Sequence, residues 1–158
     1  KAREIAEAAV EALRSGKYGF LRLNFPNGDM VGHTGSLPAA VTAVKAVDDA
    51  LGKLIEAVDE TGGTLIVTAD HGNCEQMIEV NKKTGKPVTG SGGGFKVTTS
   101  HSLNPVPFII HGPDTARYEV NEGVTDPGLG NVAATILQLL GLEKPEDYLD
   151  PLITVKDP

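Results

Sequence analysis

Apolar positions at the start of the chain recur at helical spacing. Ile5, Ala8, Ala9, Ala12 and Leu13 share one face, and Gly16 supplies a stop. Residues 20–25 read as a short β-type run, followed by the turn chemistry of Pro26-Asn27-Gly28-Asp29. A second helix begins near Ser36, an N-cap residue with Pro38 in the first turn. Its stripe of Val41, Val44, Val47, Leu51, Leu54, Ile55 and Val58 keeps a 3.6-residue period until Gly62 and Gly63 end it. Residues 64–68 (TLIVT) form a β-branched run of the length of an inner parallel strand, and Phe108-Ile109-Ile110 reads as another. Pro105 and Pro107 keep the approach to that strand extended. A last helix is expected over 131–140, capped by Asn131 and stopped by Gly141, before an irregular Pro- and acid-rich tail over 143–158.

Strands alternating with helices predict an α/β fold with a mostly parallel sheet, helices on both faces and right-handed crossovers. Three strands are few for an open sheet. The expectation is therefore one domain over 1–158 whose sheet is incomplete, its other strands lying outside the chain or on a partner. Between residues 80 and 98 the text turns to Lys, Thr and Gly, including Gly92-Gly93-Gly94. That stretch reads as a loop or hairpin excursion, solvated and without a chemical role.

Composition changes the picture at three points. A net charge of −7 leaves no basic face, which argues against nucleic acid or an anionic membrane as partner. No run approaches the ~18 apolar residues of a membrane span. The single cysteine, Cys74, excludes an intrachain disulfide and reads as a part-buried wall residue. The chain opens on Lys1 without a signal or transit peptide and reads as a piece of a longer cytoplasmic protein.

Chemistry concentrates in three loops beside the β-type runs: Asp29 with His33, Asp70 with His71, and His101. Any one of them alone is an ordinary loop residue: Asp29 a turn-forming Asx, Asp70 a helix cap. Together, at strand ends of an α/β sheet, they predict a cluster of carboxylates and imidazoles holding a metal. That mixture suits Mn²⁺ or Zn²⁺ better than Ca²⁺, which prefers oxygen alone. Asp29 and His33 lie in a Gly-rich segment expected to be a flexible turn, whereas Asp70 and His71 sit where a buried strand runs out. Ser100, Ser102 and Asn104 flank His101 and are expected to orient its ring. His111 closes an apolar strand with nothing acidic beside it in sequence, and is not counted as a ligand.

Three longer strings carry a resemblance: Asn24-Phe25-Pro26-Asn27-Gly28-Asp29-Met30-Val31-Gly32-His33-Thr34-Gly35, Thr68-Ala69-Asp70-His71-Gly72-Asn73, and Thr99-Ser100-His101-Ser102-Leu103-Asn104-Pro105-Val106-Pro107-Phe108. In this order they resemble the metal segments of the cofactor-independent (2,3-bisphosphoglycerate-independent) phosphoglycerate mutases, within the alkaline phosphatase superfamily. The resemblance implies an alkaline-phosphatase-like fold. It also implies interconversion of 3-phosphoglycerate and 2-phosphoglycerate in glycolysis through a two-metal phosphoserine mechanism. Two Mn²⁺ ions per complete enzyme are implied, with Mg²⁺, Co²⁺ or Zn²⁺ as alternatives. By the family's pattern Asp29, His33 and His101 hold one ion, and Asp70 and His71 belong to the other.

The family's nucleophilic Ser, a further metal-binding Asp and the inserted transferase domain that binds phosphoglycerate are expected upstream of this chain. Ser36, Ser100 and Ser102 do not match the serine motif, so no catalytic nucleophile is assigned here and the chain alone is expected to be inactive. Two other readings stand beside this one. The first is a non-catalytic metal-binding or interaction module that self-associates through an exposed sheet edge. The second is another phosphatase of the superfamily or a phosphopentomutase, made less favourable by the string from Asp29 to Gly35.

Overall fold

α1 (Ala2–Arg14) and α3 (Leu37–Thr61) pack through small side chains in the computed structural model, which describes residues 1–156. Ala2, Ala6 and Ala9 of α1 are buried, as are Ala40, Ala43, Ala50, Leu54, Ala57 and Val58 of α3. Ala2, Ala6 and Ala50 form a cluster with Phe25 against it. The stripe expected on α3 is therefore only partly the packing face. Val41 and Val44 are about half exposed, because alanines one position away let the helix backbones approach closely. α3 ends as its sequence predicts, at Gly62, whose φ of 67° suits a residue without a Cβ.

The described residues divide into two compact units, one over Lys1–Gly112 and one beginning at Pro113. In the first, β1 (Leu65–Thr68) pairs with β2 (Phe108–His111), with Leu65 opposite His111 and Thr68 opposite Phe108. The pair is antiparallel, which corrects the expectation of parallel pairing between these runs. No crossover helix joins them; the chain between goes out and back through the excursion and returns alongside β1. Residues 20–25 are not a strand, and Phe20 is more than half exposed. β-branched or aromatic lettering does not make a strand without a neighbour to receive its backbone hydrogen bonds.

The second unit contains β3 (Tyr118–Val120), α4 (Val132–Leu139) and β4 (Ile153–Val155), with β3 and β4 antiparallel. The tail expected to be irregular thus supplies a strand; Asp157 and Pro158 lie outside the described residues. Asn131 is buried and serves as a brace: its Oδ1 accepts the Gly128 N–H at 2.9 Å and its Nδ2 donates to the Asp150 carbonyl at 2.8 Å. No helix among the described residues is long and apolar enough to cross a membrane.

Candidate metal centre

The segment expected to be a flexible turn is α2 (Asn27–Gly32), a short helix. The Met30 N–H donates to the Pro26 carbonyl and the His33 N–H to the Asp29 carbonyl, at 2.9 and 3.1 Å. Helical winding puts residues four apart on one face, so Asp29 and His33 share an edge without flexibility being needed. His101 approaches from the chain's return after the excursion. Its Nε2 lies 3.0 Å from Asp29 Oδ1 and 3.1 Å from His33 Nε2, and His33 Nε2 lies 3.1 Å from the same Oδ1. Three potential ligand atoms thus form a nearly equilateral triangle.

The tautomer of His33 gives that triangle its meaning. His33 Nδ1 is 2.5 Å from the Thr99 carbonyl oxygen, which can only accept, so the ring hydrogen sits on Nδ1. In the neutral ring Nε2 then presents a lone pair to Asp29 Oδ1, which presents another. Such an arrangement is repulsive by itself and attractive around a cation. Ligand atoms ~2.1 Å from an ion and roughly at right angles lie about 3.0 Å apart, the separation seen here. One carboxylate oxygen with two imidazole nitrogens is also a donor set suited to borderline divalent metals. The side chains present therefore fit a divalent ion.

His71 joins the cluster at one remove. Its ring stacks on that of His101, with centroids 3.6 Å apart and planes 14° from parallel, and its Nε2 is 4.0 Å from Asp29 Oδ1. Asp29, His71 and His101 also offer one ligand atom each within 4.8 Å of one another. The buried Nδ1 of His71 has no hydrogen-bond partner among the described residues. Asp70 stands apart: its side chain is 87% exposed, and its Oδ1 lies 3.7 Å from His71 Nε2. Of the five expected residues, Asp29, His33 and His101 converge on one point, His71 flanks them, and Asp70 faces solvent.

The residues that hold this geometry were not singled out in the sequence. Asn73 is buried and donates from Nδ2 to Asp29 Oδ1 at 2.9 Å and to the Asp29 carbonyl at 3.3 Å. That carboxamide contact holds the Asp29 carboxyl below the usual carboxylate range against its partial burial. A Cβ on Gly32 would meet Asn73 Cγ at 2.7 Å and Cys74 Sγ at 3.1 Å, so only glycine lets the two loops close. Cys74 donates to the Gly28 carbonyl at 2.7 Å, and burial pushes its thiol up, which suits a wall residue. Ser102 and Asn104, expected to orient His101, donate from their side chains to Glu75 instead, and Asn104 to Gln76 as well. Thr99, just past the excursion, accepts from the His33 ring and fixes it. The signal for Asn73 was its place at the end of the string Thr68-Ala69-Asp70-His71-Gly72-Asn73, and for Thr99 its place at the head of the string that carries His101.

Comparison with known proteins agrees with a metal-binding reading. Residues 1–144 match the model of the metalloenzyme superfamily. The chain is 48% identical over 156 residues to the 2,3-bisphosphoglycerate-independent phosphoglycerate mutase of Trypanosoma brucei brucei, covering 98% of this chain and 28% of that protein. Against the mutase of Zea mays it is 49% identical over 158 residues, again covering 28% of the relative. A crystal structure of Leishmania mexicana phosphoglycerate mutase at low cobalt concentration superposes with a TM-score of 0.92 at 51% identity, over 98% of this chain and 28% of that one. The chain thus spans about 28% of the length of the relatives it matches. With the match running through both compact units, the chain belongs to the metalloenzyme superfamily.

Proposed function

We propose that this chain forms the metal-binding part of a phosphoglycerate mutase that interconverts 3-phosphoglycerate and 2-phosphoglycerate in cytoplasmic glycolysis. The observation that carries the reading is the triangle of Asp29 Oδ1, His33 Nε2 and His101 Nε2 at 3.0–3.1 Å, with the His33 lone pair turned inward. Its support in kind is the similarity to named mutases along nearly the whole chain. Both units are read as parts of one phosphatase-like domain, supported by a family match that runs across residue 113. A mostly parallel, alkaline-phosphatase-like sheet would be completed by strands beyond β1 and β2. Supporting this, β1 has a strand neighbour on one edge only among the described residues.

Asp29, His33 and His101 would hold one ion, and His71 with Asp70 would contribute to a second. Mn²⁺ is the ion we favour, with Co²⁺, Zn²⁺ and Mg²⁺ able to compete, because availability rather than this donor set discriminates among them. When bound, such ions stabilise the attacking and leaving oxygens of an in-line displacement and make a hydroxyl nucleophile more acidic. In the reaction a serine oxygen forms a bond to phosphorus while the bond to one glycerate oxygen breaks. The other glycerate hydroxyl then reverses the exchange, so atoms balance without a co-substrate. Within this chain the work is to keep imidazole lone pairs and a carboxylate aimed at one point: Thr99 fixes the His33 ring and Asn73 fixes Asp29. No serine here is assigned the nucleophile's role.

Calorimetric titration tests the reading. The chain should bind about one Mn²⁺ tightly, Asp29→Asn should abolish that site, and no interconversion should be detected with the chain alone. Two equally tight sites, or binding indifferent to Asp29, would refute the assignment.

A further inference from the structure

Glu75 stands outside the ligand cluster, and the function above makes no use of it. Its carboxylate nevertheless joins the two loops that carry His71 and His101. One oxygen, Oε2, accepts the Asn73 backbone N–H at 2.6 Å. The other, Oε1, accepts the Ser102 hydroxyl and the Asn104 carboxamide, the latter at 3.0 Å. Beside it the Ser102 N–H donates to the Gly72 carbonyl at 2.9 Å, closing a bridge between the same loops. A Cβ on Gly72 would collide with both Glu75 and Ser102, so the joint is built around a bare glycine. Gly72 follows His71 and Ser102 follows His101, and those rings stack at 3.6 Å. Whatever moves this joint moves one imidazole over the other.

A carboxylate is specifically suited to the place. All its partners here are neutral donors, and both oxygens accept. Glutamine has the same shape but turns one oxygen into an NH₂ group. In one orientation that group faces the Asn73 N–H; in the other it faces the Ser102 and Asn104 donors. Either way one contact becomes repulsive, part-buried at Asn73 and exposed at Ser102 and Asn104.

We propose that Glu75 is a positioning residue of the metal centre: it locks the His101 loop to the His71 loop and thereby sets His101 Nε2 at its distance from Asp29. The proposal rests on the reading of Asp29, His33 and His101 as ligands of one divalent ion.

Its test compares the chain with Glu75→Gln and Ser102→Ala by Mn²⁺ titration, by the visible absorption of bound Co²⁺ at saturation and by circular dichroism. Glu79→Gln, which loses an exposed ion pair with Lys96, is the control. Glu75→Gln should weaken Mn²⁺ binding about ten- to a hundredfold and alter the Co²⁺ band shape even at saturation. Ser102→Ala should do the same to a smaller degree, and Glu79→Gln should do neither. A merely structural Glu75 would lower the melting temperature but leave the saturated Co²⁺ spectrum alone, and that result overturns the proposal. So does a folded Glu75→Gln with Mn²⁺ affinity within about twofold of wild type. If Glu75→Gln fails to fold, Ser102→Ala decides: affinity and spectrum equal to wild type overturn the proposal. Wild-type binding with an indifferent Glu75 sinks this inference alone, whereas a wild-type chain that binds neither ion sinks the ligand reading and this with it.

Discussion

The two ends of the β1–β2 ladder each bring histidine to aspartate, and they do so in different ways. At the Leu65–His111 end, His111 Nε2 meets Asp59 Oδ1 of α3 at 2.6 Å, and both side chains are about half exposed. One nitrogen has found one oxygen, and the contact is closed. Beyond Thr68, at the other end, His33 and His101 both aim Nε2 at Asp29 Oδ1 while Thr99 keeps the His33 hydrogen on the far side of its ring. Nearness of imidazole to carboxylate therefore does not identify a metal centre. What sets the second end apart is three potential ligand atoms facing one point, with the His33 ring held by Thr99 and the Asp29 carboxylate by Asn73.

The largest expected effect breaks or keeps that contrast directly. His33→Ala should weaken Mn²⁺ binding by about a hundredfold or more, since it removes a proposed ligand rather than a supporting contact. His111→Ala should leave it within about twofold, because nothing at that end converges. Calorimetric titration of both variants checks the difference; similar losses would erase the distinction between the two ends.

How much of this was visible in the sequence follows the same division. The residue types of the cluster were legible, because Asp and His recurring in three short segments beside β-type runs have few bland joint explanations, although the run before Asp29 is no strand. Asp29, His33 and His101 meet as expected. The helix that carries Asp29 was not legible: Asn27-Gly28-Asp29 reads as turn chemistry, and six residues are too few for a periodic signal. His111 was set aside because no acid adjoins it in sequence. The structure supplies Asp59 from fifty-two positions away, yet that pairing makes it no more a ligand. Strand direction was the clearest failure. Alternation of helix and strand implies parallel pairing only when a crossover intervenes, and the run between β1 and β2 contains none. Glu75 and Thr99 act through contacts 27 and 66 residues distant in sequence, which no local pattern encodes.

The next effect down concerns how tightly each region is packed. Gly32→Ala places a methyl group on Asn73 and Cys74, so the loops must part or α2 must shift. Overpacking of this kind should cost about 1–3 kcal/mol, read by urea unfolding, and should weaken Mn²⁺ binding as Asn73 leaves Asp29. Gly52 of α3, away from the cluster, has nothing within 4 Å of a new Cβ. Gly52→Ala should stabilise the chain by about 0.5–1 kcal/mol without touching metal affinity. Opposite signs at the two glycines would sharpen the contrast between a site closed by contact and a helix face open to solvent.

The smallest effect belongs to the closed pair itself. A half-exposed imidazole–carboxylate contact gains little energy in water and spends part of it ordering two side chains, so a double-mutant cycle on His111→Ala and Asp59→Ala should give a coupling of about 0.2–1 kcal/mol. The coupling should be the same in the presence and absence of Mn²⁺, because the ladder separates the pair from the cluster by the length of β1. A coupling that grew on adding Mn²⁺ would mean that the two ends communicate through the strands. The His111 pair would then have to be counted as part of the metal-responsive structure rather than as a local clasp between β2 and α3.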